Sequence, residues 1–146
     1  MKLDVYQIRG DYKEADNAHR ALALKGSKNF KPEMLGVFRK VCQVEVQDLG
    51  PDAVESPLEF VFQVLNAGDE ALFQQHVSGY NIIGQVVNGV DQRRRDMHSL
   101  SVGDIVVYAG EAFMVDPRGF TWLKTSVESP VMCLIEDGFI ERRETA

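Results

Sequence analysis

The chain has 146 residues, about one domain by length and enough to bury a real core. A net charge of −6, with 45% hydrophobic and 26% charged residues, marks an ordinary globular composition. That charge disfavours a dedicated nucleic-acid binder, whose affinity comes mostly from Lys and Arg on phosphates, and it is too small for a mimic of DNA, so it points to a protein partner or a small ligand.

Cys42 and Cys133 lie far apart, each among apolar neighbours ("KVCQV", "VMCLI"), and each reads as a small buried hydrophobe. A disulfide between them stays open, but two cysteines do not make a secreted disulfide framework. The opening "MKLDVYQIRGDYKEADNA" has no apolar core of signal-peptide length, and the longest apolar runs fall short of a membrane span. The expectation is a cytoplasmic protein with no membrane contact.

In chain order, "MKLDVYQI" reads as an opening strand, with Leu3 and Val5 in one phase and Tyr6 and Ile8 in the other. Asp16 to Lys25 is rich in helix formers and Gly26 is a natural stop. "SKNFKP" follows as a loop, and Phe38 to Val46, with Val44 and Val46 against polar neighbours, as a strand. The clearest helix starts with Ser56 as N-cap, Pro57 in the first turn and Glu59 at the capping-box position. Leu58, Val61, Phe62 and Leu65 give it one apolar face, read as core, and Asn66 to Gly68 close it. Asp69 to Met97 reads as a partly extended excursion, because β-branched Ile82, Ile83, Val86, Val87 and Val90 are interrupted by Gly84 and Gly89. "DQRRRD" reads as a solvated charged turn.

The most patterned stretch is "HSLSVGDIVVYAGEAFMVDPRGFTWL". It reads as a three-stranded antiparallel meander: Ile105 to Tyr108, Ala112 to Asp116, and Phe120 to Leu123. "AGE" and "DPRG" are its turns, with Gly110 free to take positive φ. Gly103 allows a bend before the first strand, and the Asp104 carboxylate is placed to accept backbone N–H bonds there. A Trp in such a meander, here Trp122, is ordinarily core. The meander is too rich in large apolar residues for one buried face. The C-terminal "VMCLIEDGFI" is expected to cover part of the surplus, and a homodimer contact the rest.

"FRKVCQVEV", "LEFVFQVLN" and the His98 to Leu123 block together resemble the YodL-like small domains of phages and mobile elements. The correspondence runs in order through Leu65-Asn66, His98 to Val106, Phe113-Met114-Val115 and Gly119-Phe120, within residues 38 to 123 of a single domain spanning the chain. The resemblance implies a phage or mobile-element setting and carries no chemistry with it.

The chemistry-bearing residues form no recognised constellation. His19, His76 and His98 are dispersed and neither Cys has a CxxC partner, so no metal is expected. Neither a phosphate-binding glycine loop nor a dinucleotide fingerprint occurs, and no cofactor is expected. His98 beside Ser99, with Asp104 nearby, is the nearest thing to a catalytic group, but adjacent residues rarely face each other productively and no catalytic residue is assigned. The fold expected is α+β, with an antiparallel sheet of about five strands and helices on one face. The function expected is that of a non-catalytic accessory protein binding a host or viral protein. The alternative is a module for single strands or ends of nucleic acid. The candidate binding residues are Arg93, Arg94, Arg95, His98, Arg118 and Trp122, and the nucleic-acid alternative rests on Arg93, Arg94, Arg95, His98 and the nearby aromatics Tyr108, Phe120 and Trp122.

Overall fold

The computed structural model describes residues 1–46 and 56–123. Strand β1 (Lys2–Ile8) leads to helix α1 (Lys13–Lys25), and two 3-10 turns (Gly26–Asn29 and Pro32–Val37) return the chain to β2 (Phe38–Glu45). Helices α2 (Pro57–Asn66) and α3 (Glu70–His76) follow. Five two-residue strands come next: β3 (Val77–Ser78), β4 (Ile82–Ile83), β5 (Val86–Val87), β6 (Val90–Asp91) and β7 (Arg94–Arg95). The meander closes the described chain with β8 (Ile105–Tyr108), β9 (Glu111–Val115) and β10 (Phe120–Trp122).

The α+β class holds, with one six-stranded sheet in the order β10-β9-β8-β1-β2-β3, all pairs antiparallel. The chain's first strand is therefore central, between β2 and the meander. Helices pack on both faces of the sheet, where the sequence suggested one. Against α1 lie Tyr6, Phe38, Ile105, Val107 and Met114, with Ala15, Ala18 and Leu22 supplied by the helix. Against α2 and α3 lie Leu3, Val5, Cys42, Val44 and Val106, with Val61, Val64, Leu65 and Phe73 from the helices. A strand buried on both sides loses the apolar-polar alternation of a half-exposed one, which is why β1 is apolar in both phases. In the meander, Val107 and Met114 are buried on the α1 side and Val106 and Val115 on the α2 side, while Phe113 and Phe120 are half-buried and Trp122 is exposed. The register of β1 on β2 slips between Val5 and Tyr6, leaving Val41 as an extra residue. This bulge lets adjacent Val41 and Cys42 both join the α2-side core. Burial pushes the Cys42 thiol up to about 12, with Asp4 and Asp104 adding to it, so it is an inert apolar side chain.

Helix α1 begins at Lys13, three residues before the expected start, and buries Ala15 with the rest of its apolar face. Ser56 caps α2 as expected, accepting from the Glu59 N–H at 3.2 Å. The buried stripe of α2 is Val61, Val64 and Leu65, so Phe62 is 43% exposed and not core. Trp122 is also corrected: it stands 47% exposed on edge strand β10 and its Nε1 donates to Glu111 Oε2 at 2.8 Å. Residues 69 to 97 are less extended than expected at their start, where Asp69 caps α3 by accepting from the Leu72 N–H. "VMCLIEDGFI" and Cys133 lie outside the described residues. Among those described, no helix is long and apolar enough to cross a membrane.

Two turns of the meander depend on left-handed backbone. Ala109 and Gly110 (φ 51° and 77°) make the two-residue link from β8 to β9, the geometry that matches strand twist. Gly103 has φ +95°, and a Cβ built there would lie 2.8 Å from Leu22 Cβ on α1. Its N–H donates to Val115 O at 2.8 Å, so it is held from both sides. Gly103→Ala is therefore expected to destabilise the fold by about 1–3 kcal/mol in urea melts, through backbone strain and overpacking against α1. A loss under about half a kilocalorie would show that this approach is relaxed in solution.

Candidate functional site

The site begins in the central strand. The β1–β8 register pairs Val5 with Val106 and Tyr6 with Ile105, and one further step brings Gln7 beside Asp104. Gln7 is fully buried. Its Nε2 donates to Asp104 Oδ2 at 3.0 Å and to His98 O at 2.9 Å, while its Oε1 accepts from the His98 N–H at 3.1 Å. Both amide hydrogens are thereby engaged, so neither is left for His98 Nδ1 at 3.2 Å. That nitrogen lies 2.6 Å from Ser99 O, a contact that places a proton on Nδ1.

Asp104 closes the loop as the sequence suggested: its Oδ2 accepts from the Ser101 N–H at 2.9 Å. His98 Nδ1 stands 3.8 Å from the same oxygen. Burial pushes the Asp104 carboxyl up to about 7, against the opposing pull of the Ser101 N–H and the Gln7 amide. From α2, Asn66 clamps the loop with two bonds to Leu100, Nδ2 to O at 2.9 Å and Oδ1 from N at 2.8 Å. Neither serine hydroxyl of this loop bonds His98; that of Ser101 donates to Ser99 O at 3.0 Å. The nucleophile–base contact that acyl-transfer chemistry needs is not built here.

Outside the loop, residues 82 to 95 form two small ribbons, β4 with β7 and β5 with β6. Asn88 and Gly89 (φ 51° and 77°) turn the inner hairpin. The run "DQRRRD" is thus partly strand and not simply a solvated turn, because Arg94 and Arg95 pair with Ile83 and Ile82. Arg93 grips Asp91 through its backbone N–H, Nε and Nη2 at 2.9–3.0 Å. Arg95 forms an ion pair with Glu70 and lies 3.7 Å above the Phe73 ring centroid. Arg94 is exposed, with no partner among the described residues. An Arg9–Asp96 ion pair ties the end of the ribbon to the end of β1.

Between the ribbon and helices α2 and α3 runs a cleft of ≈ 800 Å³. Arg93, Arg94, Arg95 and His98 line it, facing Val64, Leu65 and Phe73. Four of the six residues singled out in the sequence are therefore brought together. Arg118, exposed in the β9–β10 turn, and Trp122 are not among its walls. A smaller apolar hollow of ≈ 390 Å³ lies near that turn, lined by Phe62, Leu100, Val102, Val115 and Phe120. Among the described residues no group of three or more His, Cys, Asp or Glu could hold a metal ion.

Sequence reasoning missed Gln7 and Asn66, each of which fastens the loop that carries His98. Asn66 read as a helix stop and as part of the YodL-like correspondence, with no bonding role, and nothing local distinguishes Gln7 from any strand glutamine. The "VVNGV" hairpin was the detectable signal, since Asn-Gly between β-branched residues favours a tight turn.

Two expectations follow. Asn66→Ala removes both bonds to Leu100 and should cost about 1–3 kcal/mol in urea melts, while Asn66→Asp, which keeps the acceptor for the Leu100 N–H, should cost less. Equal losses would mean the clamp is not what holds the loop. The raised Asp104 carboxyl sets the second. Between about pH 4 and 7 the folded state binds more protons than the unfolded one, so stability is fullest below 4 and falls as pH rises through 7. The slope from one such group reaches at most about 1.4 kcal/mol per pH unit. Both donors converge on Oδ2, so an amide oxygen can replace it. Asp104→Asn should therefore flatten the slope, and an unchanged slope would assign it to another group.

No family model matches the chain, and no solved structure matches it. Over 78 residues it is 35% identical to the acyl carrier protein of Streptococcus pneumoniae serotype 4 (strain ATCC BAA-334 / TIGR4), and equally to that of strain ATCC BAA-255 / R6. The alignment covers 96% of that protein and 53% of this chain. At that identity and coverage of the relative, the chain belongs by sequence to the acyl carrier protein family over about half its length, and its other half has no counterpart there.

Proposed function

We propose that this chain is a non-catalytic accessory protein of a phage or mobile element, acting by binding a host or viral protein in the cleft beside the 82–95 ribbons. The observation that carries the reading is that Arg93, Arg94, Arg95 and His98 line one cleft together with Val64, Leu65 and Phe73 of α2 and α3. A mixed wall of arginines and apolar side chains is the composition of a protein-recognition surface. The YodL-like resemblance of residues 38 to 123 supplies the phage or mobile-element setting. Its landmark residues, Asn66 and the His98 to Asp104 loop, are bonded to one another in the fold, and Asn66, His98 and Ser99 also border the cleft.

The nucleic-acid alternative is weaker on the same ground. Arg93 and Arg95 are already paired with Asp91 and Glu70, the net charge is −6, and Arg118 and Trp122 stand away from the cleft. A homodimer through the exposed side chains of Phe62 or Trp122 would be seen as a doubled mass in sedimentation at micromolar concentration.

The relationship to the pneumococcal acyl carrier protein favours a second reading, in which this chain bears an acyl group and the hollow beside Phe62 and Phe120 receives its apolar end. Intact-mass measurement of protein purified from its native cells separates the two: an acyl-sized adduct supports carriage, and the bare chain mass removes it.

For the main reading, tagged wild type should retain a partner at near-equal stoichiometry from host lysate, and Arg93/Arg94/Arg95→Ala should lose it. Retention by the folded triple variant, or absence of any stoichiometric partner, would overturn it.

A further inference from the structure

We infer that the cleft takes an acidic protein segment, anchored by a carboxylate on Arg94, with His98 Nε2 accepting an N–H from the segment's backbone; the inference rests on the protein-binding reading above. Its source is the pattern of used and unused groups along the wall. Asp91 occupies Arg93, and Glu70 occupies Arg95. Asp69 caps α3 by accepting from the Leu72 N–H. Of the charged side chains lining the cleft, Arg94 alone has no partner among the described residues. A guanidinium offers a planar fork that matches a carboxylate with two parallel bonds, and it cannot lose its charge.

His98 contributes a second, differently shaped contact. Its Nδ1 faces Ser99 O, Gln7 and Asp104, and its backbone is held on both sides by the buried Gln7 amide. Nε2 is the nitrogen left for the cleft, and with the proton on Nδ1 it is an acceptor. An acceptor beside a cation suits a peptide, which offers N–H groups next to its side chains, better than a simple anion, which offers none. Phe73, Ile82 and Met97 line the same cleft and provide for an apolar neighbour of the acidic residue. At ≈ 800 Å³ the cleft is in the range that holds a ligand of several residues.

A selection from random peptides tests this directly. The full chain is immobilised and challenged with a bead-displayed library of random short peptides. Enriched sequences are then synthesised with a fluorophore and titrated by anisotropy against wild type, Arg94→Gln and the control Arg118→Gln. Circular dichroism confirms that each variant folds, which the exposure of both arginines favours. The expected result is enrichment of peptides bearing Asp or Glu beside an apolar residue, with Kd raised about tenfold or more by Arg94→Gln and little changed by Arg118→Gln. Peptides with no acidic bias, acidic peptides that bind Arg94→Gln as tightly as wild type, or no enrichment at all would each overturn the inference. Partner capture by wild type and loss by the triple arginine variant would still uphold the protein-binding reading in those cases, so the two can fail separately.

Discussion

A buried carboxamide must find partners for two hydrogens and an oxygen, and Gln7 finds all of them on one loop. That constraint organises the α2 side of the molecule. Because Gln7 sits in the interior strand β1, its partners His98 and Asp104 are fixed to a strand paired on both sides. Asp104 in turn closes the loop on the Ser101 N–H, and Asn66 reaches from α2 to hold Leu100. Loop, strand and helix thus share one polar network inside an otherwise apolar interface. An unpaired member there would cost its full desolvation, so the network specifies one arrangement of the loop.

The position of the cleft follows from this arrangement. Chain leaving α3 enters the sheet only briefly at β3, then runs out into two small ribbons whose Ile82, Val86 and Val90 remain exposed. The ribbons return through Asp96, which pairs with Arg9 at the end of β1, directly before the loop that Gln7 anchors. A projecting ribbon fixed at its base by the network leaves a gap against α2 and α3. The arginines stand on that ribbon, so they meet the helices because of where the loop is pinned. Arg95, stacked on Phe73 and paired with Glu70, then bridges ribbon to helix.

This division of labour bears on the signature around Gly103. The residues that make the stretch conspicuous are the ones that build the fold: Gly103 lies against Leu22, Asp104 closes the turn, and Leu100 is clamped by Asn66. The residues free to recognise something else lie in the less patterned spacer. Arg94 belongs to a two-residue strand, and its one local signal is the run of three arginines in which it stands.

What the sequence by itself determined is local. Ser56 and Pro57 start α2, glycine turns separate the meander strands, and the β-branched run Ile105–Val107 makes β8; each is decided by side chains within a few positions of one another. The α+β class followed from counting such elements. The orientation of α2 about its axis was not local, because both Phe62 and Val64 are apolar and only the sheet beneath decides which of them is buried. Trp122 was misjudged for a related reason: the sequence marks it as apolar but not as belonging to β10, which among the described residues has a neighbouring strand on one side only. The pairing of β1 with β8 joins residues about a hundred positions apart, and it puts Gln7 against Asp104 and the His98 backbone. Contacts of that separation leave no periodic trace in a single chain, since nothing near Gln7 distinguishes it until the strands have paired. The elements outside residues 69 to 97 were therefore legible in the sequence, while the network that holds the site came only from tertiary pairing.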